Sequence, residues 1–255
     1  MLATFAVPAF KDNYIWILAS GASAVAVDPG DDAPVEQFLR ERGFKLAAVL
    51  ATHHHADHVG GLPALAARWK CPTFGPAREV SERLDRRLSQ GDRFEVPGLG
   101  ISLETLDIPG HTAGHIALFG EGMVFSGDTL FACGCGRLFE GTPAQMVESL
   151  AKLARLPSGT RVYCGHEYTI ANIRFAQAVE PHNRALEARK QRDTAKQLRG
   201  EPTLPSTIAD ELATNPFLRC AEPEVVASAE KHAGRKLRDP IEVFAEIRAL
   251  SLIHI

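Results

Sequence analysis

Over the first two thirds of the chain, short apolar runs alternate with turn signals. The stretches "YIWILAS", "SAVAVDPG", "LAAVLATH", "ISLETLDIPG", "IALFG", "MVFSGD" and "TRVYCGH" each read as a strand. Helical patterns lie between some of them. "DAPVEQFLRERG" brings Val35, Phe38 and Leu39 to one face and puts Gly43 where a C-cap belongs, and "PAQMVESLAKLARLP" does the same with Met146, Val147, Leu150 and Leu153. The opening residues also alternate as a strand, one that carries Pro8. After about Tyr168 the strand pattern stops, and "ANIRFAQAV", "NRALEARKQRDTAKQLRG", "STIADELATN", "PEVVASAEKHAG" and "PIEVFAEIRAL" read as helices broken by Pro or Gly. The expectation is sheets covered by helices over residues 1–168 and a smaller helical domain over 169–255. No repeat or flexible linker separates them, so the two parts should pack together.

Composition narrows the functional classes. With 255 residues, 45% of them apolar, the chain can bury a full core without staples. A net charge of -3 and the lack of a dense Lys/Arg block leave no electrostatic footprint for nucleic acid. The short basic run Arg83 to Arg87 reads as a solvated helix face. Cys71, Cys133, Cys135, Cys164 and Cys220 are odd in number and follow no disulfide or zinc-knuckle spacing, which fits a reducing compartment. The N-terminus lacks the basic region of a signal peptide, and no apolar run reaches membrane-spanning length. A cytoplasmic protein is expected, with no membrane partner.

The chemistry is concentrated in "LAAVLATHHHADHVGG", which places four histidines and an aspartate directly after an apolar run. If the strand continues extended, His53, His55 and Asp57 point one way and His54 the other, because side chains alternate with period two. Asp57 is also suited to cap a helix starting near His58, and Gly60 and Gly61 permit close backbone approach. A single histidine at such a place is usually a loop or core residue. The H-x-H-x-D-H pattern is different: imidazoles with a carboxylate suit zinc, iron or manganese.

Three later segments repeat the arrangement of an apolar strand, a Gly and a ligand-type residue: "LDIPGHTAGH" with His111, "MVFSGDTLF" with Asp128 and "RVYCGHEYT" with His166. Each alone is ordinary turn chemistry. Together with the cluster they supply His53, His55, His58, His111, His166, Asp57 and Asp128, more donors than one tetrahedral ion needs. Such a set fits two ions bridged by a carboxylate, about 3.5 to 4 Å apart and sharing a hydroxide formed from a bound water whose pKa falls to about 7. A structural zinc site would be closed and rich in Cys. Hydrolysis without a Ser, Cys or Lys nucleophile is therefore the expected chemistry. His115 is placed for packing or for a hydrogen bond behind a ligand, Cys164 reads as a small core residue, and His182, His232 and His254 have no ligand-like context.

The motifs "THHHADHVGG", "PGHTAGH", "FSGDTLF" and "YCGHEYT" resemble those of the metallo-β-lactamase superfamily in order. Within it, "VPAFKDNYIWIL", "FACGCGRLFEGTPAQM" and "NPFLR" resemble the glyoxalase II (hydroxyacylglutathione hydrolase) family, and the similarity spans nearly the whole chain. The resemblance implies an α+β fold, a four-layer αββα sandwich whose site lies at one edge of the sheets, with C-terminal helices closing over the substrate. It implies that His53, His55 and His111 hold one divalent ion, that Asp57, His58 and His166 hold the other, and that Asp128 bridges them. Zinc comes first, with iron or manganese also suited. A hydroxide bridging the ions would attack the thioester of S-D-lactoylglutathione or related 2-hydroxyacylglutathiones, giving D-lactate and glutathione in methylglyoxal detoxification, with Asp57 and Asp128 in the catalytic centre. Substrate contacts fall at Arg137, Phe139, Tyr168 and Arg248, and a monomer is expected.

Two positions depart from the family's usual pattern. Phe139 stands where relatives commonly carry Tyr, which removes a hydroxyl, and Ser251 stands where a lysine typically follows the Arg248 position. Both changes should weaken glutathione binding more than the chemistry. Other readings of the ligand motifs are a lactonase, a β-lactamase-like hydrolase or a tRNA-processing nuclease on the same scaffold, a mono-iron persulfide dioxygenase, and a non-enzymatic metal-binding module. The bridging Asp argues against a β-lactamase, the absence of a basic arm against a nuclease, the long helical C-terminal part against the dioxygenase and the complete ligand set against a mere binding module; ligand motifs alone do not exclude a lactonase.

Overall fold

The structure, a computed structural model, describes residues 1–79 and 84–254. Its first sheet is laid down in chain order. Strand β1 (Ala3–Ala9) pairs antiparallel with β2 (Asn13–Ser20) and β2 with β3 (Ser23–Val27); β4 (Lys45–Leu50), β5 (Thr73–Pro76) and β6 (Arg86–Leu88) then add in parallel. The parallel strands need crossovers, and α1 (Asp32–Arg42), the single turn α2 (Ala56–Val59) and α3 (Leu62–Trp69) provide two of them. The second sheet contains β7 (Arg93–Val96), β8 (Ile101–Asp107), β9 (Ile116–Gly120) and β10 (Met123–Gly127) as antiparallel neighbours. A small hairpin, β11 (Leu130–Phe131) with β12 (Gly134–Cys135), and helix α4 (Pro143–Ala154) precede β13 (Arg161–Cys164), which lies parallel to β10. The helices α5 (Thr169–Val179) and α6 (Arg184–Leu198) lead to β14 (Ser206–Thr207), and α7 (Ile208–Thr214), α8 (Pro223–Ala233) and α9 (Pro240–His254) complete the chain.

Period-two alternation divides the side chains of each sheet between two cores. Trp16, Leu18, Val25, Val27 and Leu50 meet Leu103, Ile116, Phe125 and Tyr163 between the sheets. On the outer face of the first sheet, Ile15, Ile17, Ala26 and Val49 pack against Val35 and Leu39 of α1 and Leu62 and Leu65 of α3. On the outer face of the second, Leu106, Ala117, Val124 and Val162 pack against Met146, Leu150 and Leu153 of α4. The result is the expected four-layer αββα sandwich. The C-terminal helices join this last core through Phe175, Val225, Phe244 and Ile247, so the helical part and the sandwich share one apolar layer.

The long helices begin and end as their sequences direct. Asp31 caps α1 by accepting from the Ala33 N–H, and Gly43 closes it in the left-handed conformation. Thr142 and Gln145 form a reciprocal capping box on α4.

Four readings change. The segment 86–88 is strand β6, with Arg86 over the ring of Phe74 at 5.8 Å, and not a helix face; Arg83 lies outside the described residues. Strand structure does not stop at Tyr168, because Ser206 and Thr207 extend the second sheet along β13. Two residues are too few for any periodicity to show, and the same holds for the hairpin β11–β12. Asp57 does not cap α2: the turn begins earlier, with His55 in the cap position and Asp57 inside the first turn. That places Asp57 and His58 on a helical turn, so the strand alternation that aligns His53 with His55 does not extend to them.

The two sheets are joined near their site edge by backbone hydrogen bonds from Tyr14 N–H to the Gly165 carbonyl at 2.8 Å and from Glu167 N–H to the Asp12 carbonyl at 2.8 Å. Behind them, the buried Trp16 indole donates to the Cys164 carbonyl at 2.9 Å and stands edge-on to Tyr163 at 4.8 Å. Trp16→Phe keeps an aromatic ring there and removes the donor. The unpaired carbonyl should cost about 1–3 kcal/mol of stability, read as a lower denaturant midpoint at unchanged slope.

Candidate metal centre

The site lies where β4, β10 and β13 end, at one edge of the sandwich. β4 runs into Thr52 and His53, both fully buried, and the chain then turns through α2. Close packing of that turn on the loop after β3 depends on glycine: a Cβ on Gly30 would lie 2.0 Å from the Asp57 carbonyl oxygen, and one on Gly60 would lie 2.5 Å from the Gly30 oxygen. The loop at Gly30 carries Asp28, so the turn bearing Asp57 and His58 is set directly against a buried carboxylate.

Two ligand groups reach the cavity. The donor nitrogens of His53, His55 and His111 form one, and Asp57, His58 and His166 form the other, each with its donor atoms within 4.8 Å of one another. A third set within the same distance, Asp28 with His53 and His58, lies buried behind them. In the first, His55 Nδ1 lies 3.2 Å from His53 Nε2 and 3.0 Å from His111 Nε2. In the second, His166 Nε2 and His58 Nε2 lie 3.5 Å and 3.7 Å from Asp57 Oδ2. Asp128 sits between them: Oδ1 is 3.3 Å from His58 Nε2, and Oδ2 is 3.2 Å from His166 Nε2 and 3.5 Å from His111 Nε2. All seven residues singled out by the motifs therefore converge.

Residues behind the ligands fix their tautomers. His58 Nδ1–H donates to Asp28 Oδ2 at 3.1 Å, His166 Nδ1–H to Asp12 Oδ1 at 2.8 Å and His111 Nδ1–H to the Arg137 carbonyl at 2.8 Å. His53 Nδ1–H meets Thr52 Oγ1 at 3.1 Å, and that hydroxyl donates in turn to Asp28 at 2.7 Å. Each bond leaves the ring's Nε2 aimed inward as the ligand atom. Asn13 Nδ2 donates to Asp57 Oδ2 at 3.0 Å and orients the carboxylate. His115 is not among the ligands. It stacks on His53 at 4.6 Å and accepts the Asp128 backbone N–H on its own Nε2 at 3.1 Å, which is a supporting role.

Nitrogens and carboxylates crowded this closely need cations among them, whether protons on His58 and His166 or metal ions across both groups. His58 Nε2 and Asp128 Oδ1 are buried with no hydrogen-bond partner, which suits atoms that ligate a metal. Gly165 gives the space: a Cβ there would come within 2.6 Å of Asp128 Oδ1. The donor set and the fold fit a dinuclear metal site.

Protonation in the metal-free protein differs between the groups. Burial holds the imidazoles of His53, His55 and His111 below their ordinary pKa, so they stand neutral and ready to bind. For His58 burial acts in the same direction, but Asp128 and Asp28 outweigh it and raise the pKa; His166 is raised in the same way by Asp128 and Asp12. Burial would raise Asp128, yet His58 and His166 hold it well below the usual carboxylate range.

Above the ligands opens a cavity of about 590 Å³ whose lining includes Arg137, Phe139, Tyr168 and Arg248. Phe139 is 62% exposed and stands edge-on to His55 and His111 at 5.6 and 5.3 Å. Tyr168 lies flat on His166 at 4.8 Å. Arg248 extends from α9 over the Phe217 ring at 5.8 Å, and Ser251 turns its hydroxyl back onto the Arg248 carbonyl at 2.7 Å. Cys135 also lines the cavity, but burial pushes its thiol up to about 12, so it is no nucleophile at neutral pH.

The motif reading missed Asp12, Asn13, Asp28 and Thr52. Asp28 had one visible signal, a carboxylate immediately before Pro-Gly at the end of a buried strand. The others look like ordinary loop residues.

Comparison with known proteins gives the same organisation. Residues 10–166 match the family described as the metallo-beta-lactamase superfamily, and residues 167–251 match "Hydroxyacylglutathione hydrolase C-terminus". A hydroxyacylglutathione hydrolase of Alkalilimnicola ehrlichii is 56% identical over 97% of this chain and 98% of its own, and that of Methylobacillus flagellatus is 52% identical over 95% of each. The chain belongs to the hydroxyacylglutathione hydrolase family. These are hydrolases built on the metallo-β-lactamase fold. Among solved structures, ETHE1 from Myxococcus xanthus shares that fold with a TM-score of 0.66 at 23% identity, covering 100% of both chains. TTHA1623, solved in a di-iron-bound form, has a TM-score of 0.53 at 26% identity over 64% of this chain and 91% of its own.

Metal uptake should release protons. Since His58 and His166 hold theirs above the ordinary histidine range, affinity should rise with pH until both have titrated, as competition with a chelator across pH would show. Asp28→Asn keeps the shape behind His58 and removes the charge. It should weaken metal binding by about 10- to 100-fold, measured by the same competition.

Proposed function

We propose that this chain hydrolyses S-D-lactoylglutathione, and with it other 2-hydroxyacylglutathiones, to the 2-hydroxy acid and glutathione, the second step of methylglyoxal detoxification. The observation that carries the reading is a two-group His/Asp centre at the floor of a cavity with two arginines along its lining, in a chain about half identical to proteins named hydroxyacylglutathione hydrolase. His53, His55 and His111 would hold one divalent ion, Asp57, His58 and His166 the other, with Asp128 shared; the nitrogen and oxygen donors suit zinc, then iron or manganese. Such a pair supplies a water of lowered pKa and positive charge to stabilise the oxyanion of the attacked thioester.

The protein's own groups do the rest. Asp57, half-buried and held by Asn13, faces the cavity and orients the attacking water. The leaving group is a thiolate whose conjugate acid has a pKa of about 8.5, so it departs without a proton donor. Arg137 and Arg248 are suited to the two carboxylates of glutathione through paired N–H donors. Phe139 and Tyr168 give the peptide apolar walls. In this reading residues 1–168 carry the chemistry and the Arg137, Phe139 and Tyr168 side of the substrate site, and the helical domain 169–255 completes substrate binding with Arg248. The protein works as a monomer in the cytoplasm; among the described residues no helix is long and apolar enough to cross a membrane.

Loss of the thioester absorbance of S-D-lactoylglutathione, with metal counted in the same sample, tests the reading. Asp57→Asn should lower kcat by about 10²- to 10⁴-fold. Arg248→Ala should raise KM by roughly 10- to 100-fold with a small change in kcat, the loss of a charge-assisted pair worth about 1.5–3 kcal/mol. Phe139→Tyr, which restores a hydroxyl, should lower KM a few-fold, as about 0.5–1.5 kcal/mol for one hydrogen bond implies. No turnover by protein holding two ions per chain would sink the proposal.

A further inference from the structure

His54 stands between two ligands and points away from both groups. An exposed loop histidine needs no partner, yet both of its ring nitrogens meet carboxylates that belong to other segments. Nδ1 lies 2.9 Å from Glu79 Oε2, and Nε2 lies 3.3 Å from Glu140 Oε1. Glu79 is buried, and its second oxygen accepts the hydroxyl of Thr112, the residue next to His111. Glu140 accepts the Ala113 backbone N–H on its second oxygen at 2.8 Å, and its own N–H is bonded to the His111 carbonyl at 3.4 Å. Gly114 completes the fit, since a Cβ there would lie 2.5 Å from Glu79 Cγ.

Two routes therefore run from His54 to the flank of His111, one through Glu79 and Thr112 and one through Glu140 and Ala113. The segments they join are the two that supply His53, His55 and His111. Among the described residues no side chain of this network bonds to Asp57, His58 or His166, whose side chains are held by Asn13, Asp28 and Asp12 instead.

We propose that His54 is a positioning residue that locks the His53, His55 and His111 triad in binding geometry and leaves the second triad untouched. The inference rests on the dinuclear reading of the centre. It assigns a purpose to the one histidine of the motif that holds no ion, and it acts through backbone spacing, because the rings of His53 and His111 keep their own hydrogen bonds to Thr52 and the Arg137 carbonyl.

The test uses protein loaded with two zinc ions per chain, counted by mass spectrometry, and follows their release to a chromophoric chelator. His54→Leu should speed release of one ion by about tenfold or more, the range seen when groups supporting a ligand are removed, and leave the other within about twofold. Asp12→Asn, behind His166, should speed the other ion and so assigns the phases. The melting temperature of the metal-stripped His54→Leu protein should match that of the stripped parent. Equal acceleration of both phases, or a stripped protein that melts lower in step, would reduce His54 to a general structural contact and overturn the proposal. If His54→Leu does not fold, Glu140→Ala severs the more exposed route and should speed the same phase to a smaller degree; no change in it counts against the proposal. A parent protein that never takes up two ions would overturn the dinuclear reading itself, a result distinct from unselective release.

Discussion

Imidazole nitrogens and carboxylate oxygens meet within 3.0 to 3.7 Å of one another at the edge of the sandwich, and their need for cations among them is the constraint around which the structure is arranged. Concentrating lone pairs in a buried place is costly unless cations balance them. The protein limits that cost by engaging the outward nitrogen of each anchored ring. Asp28 is central to this: one carboxylate receives His58 directly and His53 through Thr52, and its other oxygen takes the Thr52 backbone N–H at 2.7 Å. The same buried group thus orients one ligand of each triad.

Rigidity of the sandwich makes such an arrangement possible. The ligands project from the ends of β4, β10 and β13 and from loops beside them, while the strands themselves are packed on both faces. The helical part contributes from the far side. Glu211 and Asn215, both fully buried, hold the loop after β11 by accepting the Cys133 N–H and donating to the Phe131 and Gly134 carbonyls. That loop continues to Arg137, whose carbonyl orients His111. C-terminal helices and metal ligands are therefore linked through one short stretch of chain that is hydrogen-bonded at both ends, and not only by the cavity they share.

How the two parts divide the work follows from their chemistry. The sandwich supplies the donors for metal and, at the cavity, Arg137. Arg248 is presented by α9, held over the Phe217 ring. Phe139 and Tyr168 stand on opposite sides, each against a ligand ring, so aromatic surface continues from the metal centre to the cavity wall.

The sequence by itself determined the strand and helix alternation, the composition of the ligand set and the family, because these depend on local periodicity and on residues packed into short motifs. His53, His55, Asp57 and His58 are legible for that reason, and His111, Asp128 and His166 follow from their place after apolar strands. Tertiary structure alone decided what stands behind them. Asp12 lies 154 positions from the His166 it orients, and Asp28 lies 30 from His58. His54 finds Glu79 across 25 positions, and strand β14 exists only because β13 offers it an edge. Such partners carry no periodicity of their own: a lone aspartate or glutamate in a loop gains its role from the group that folding brings to it.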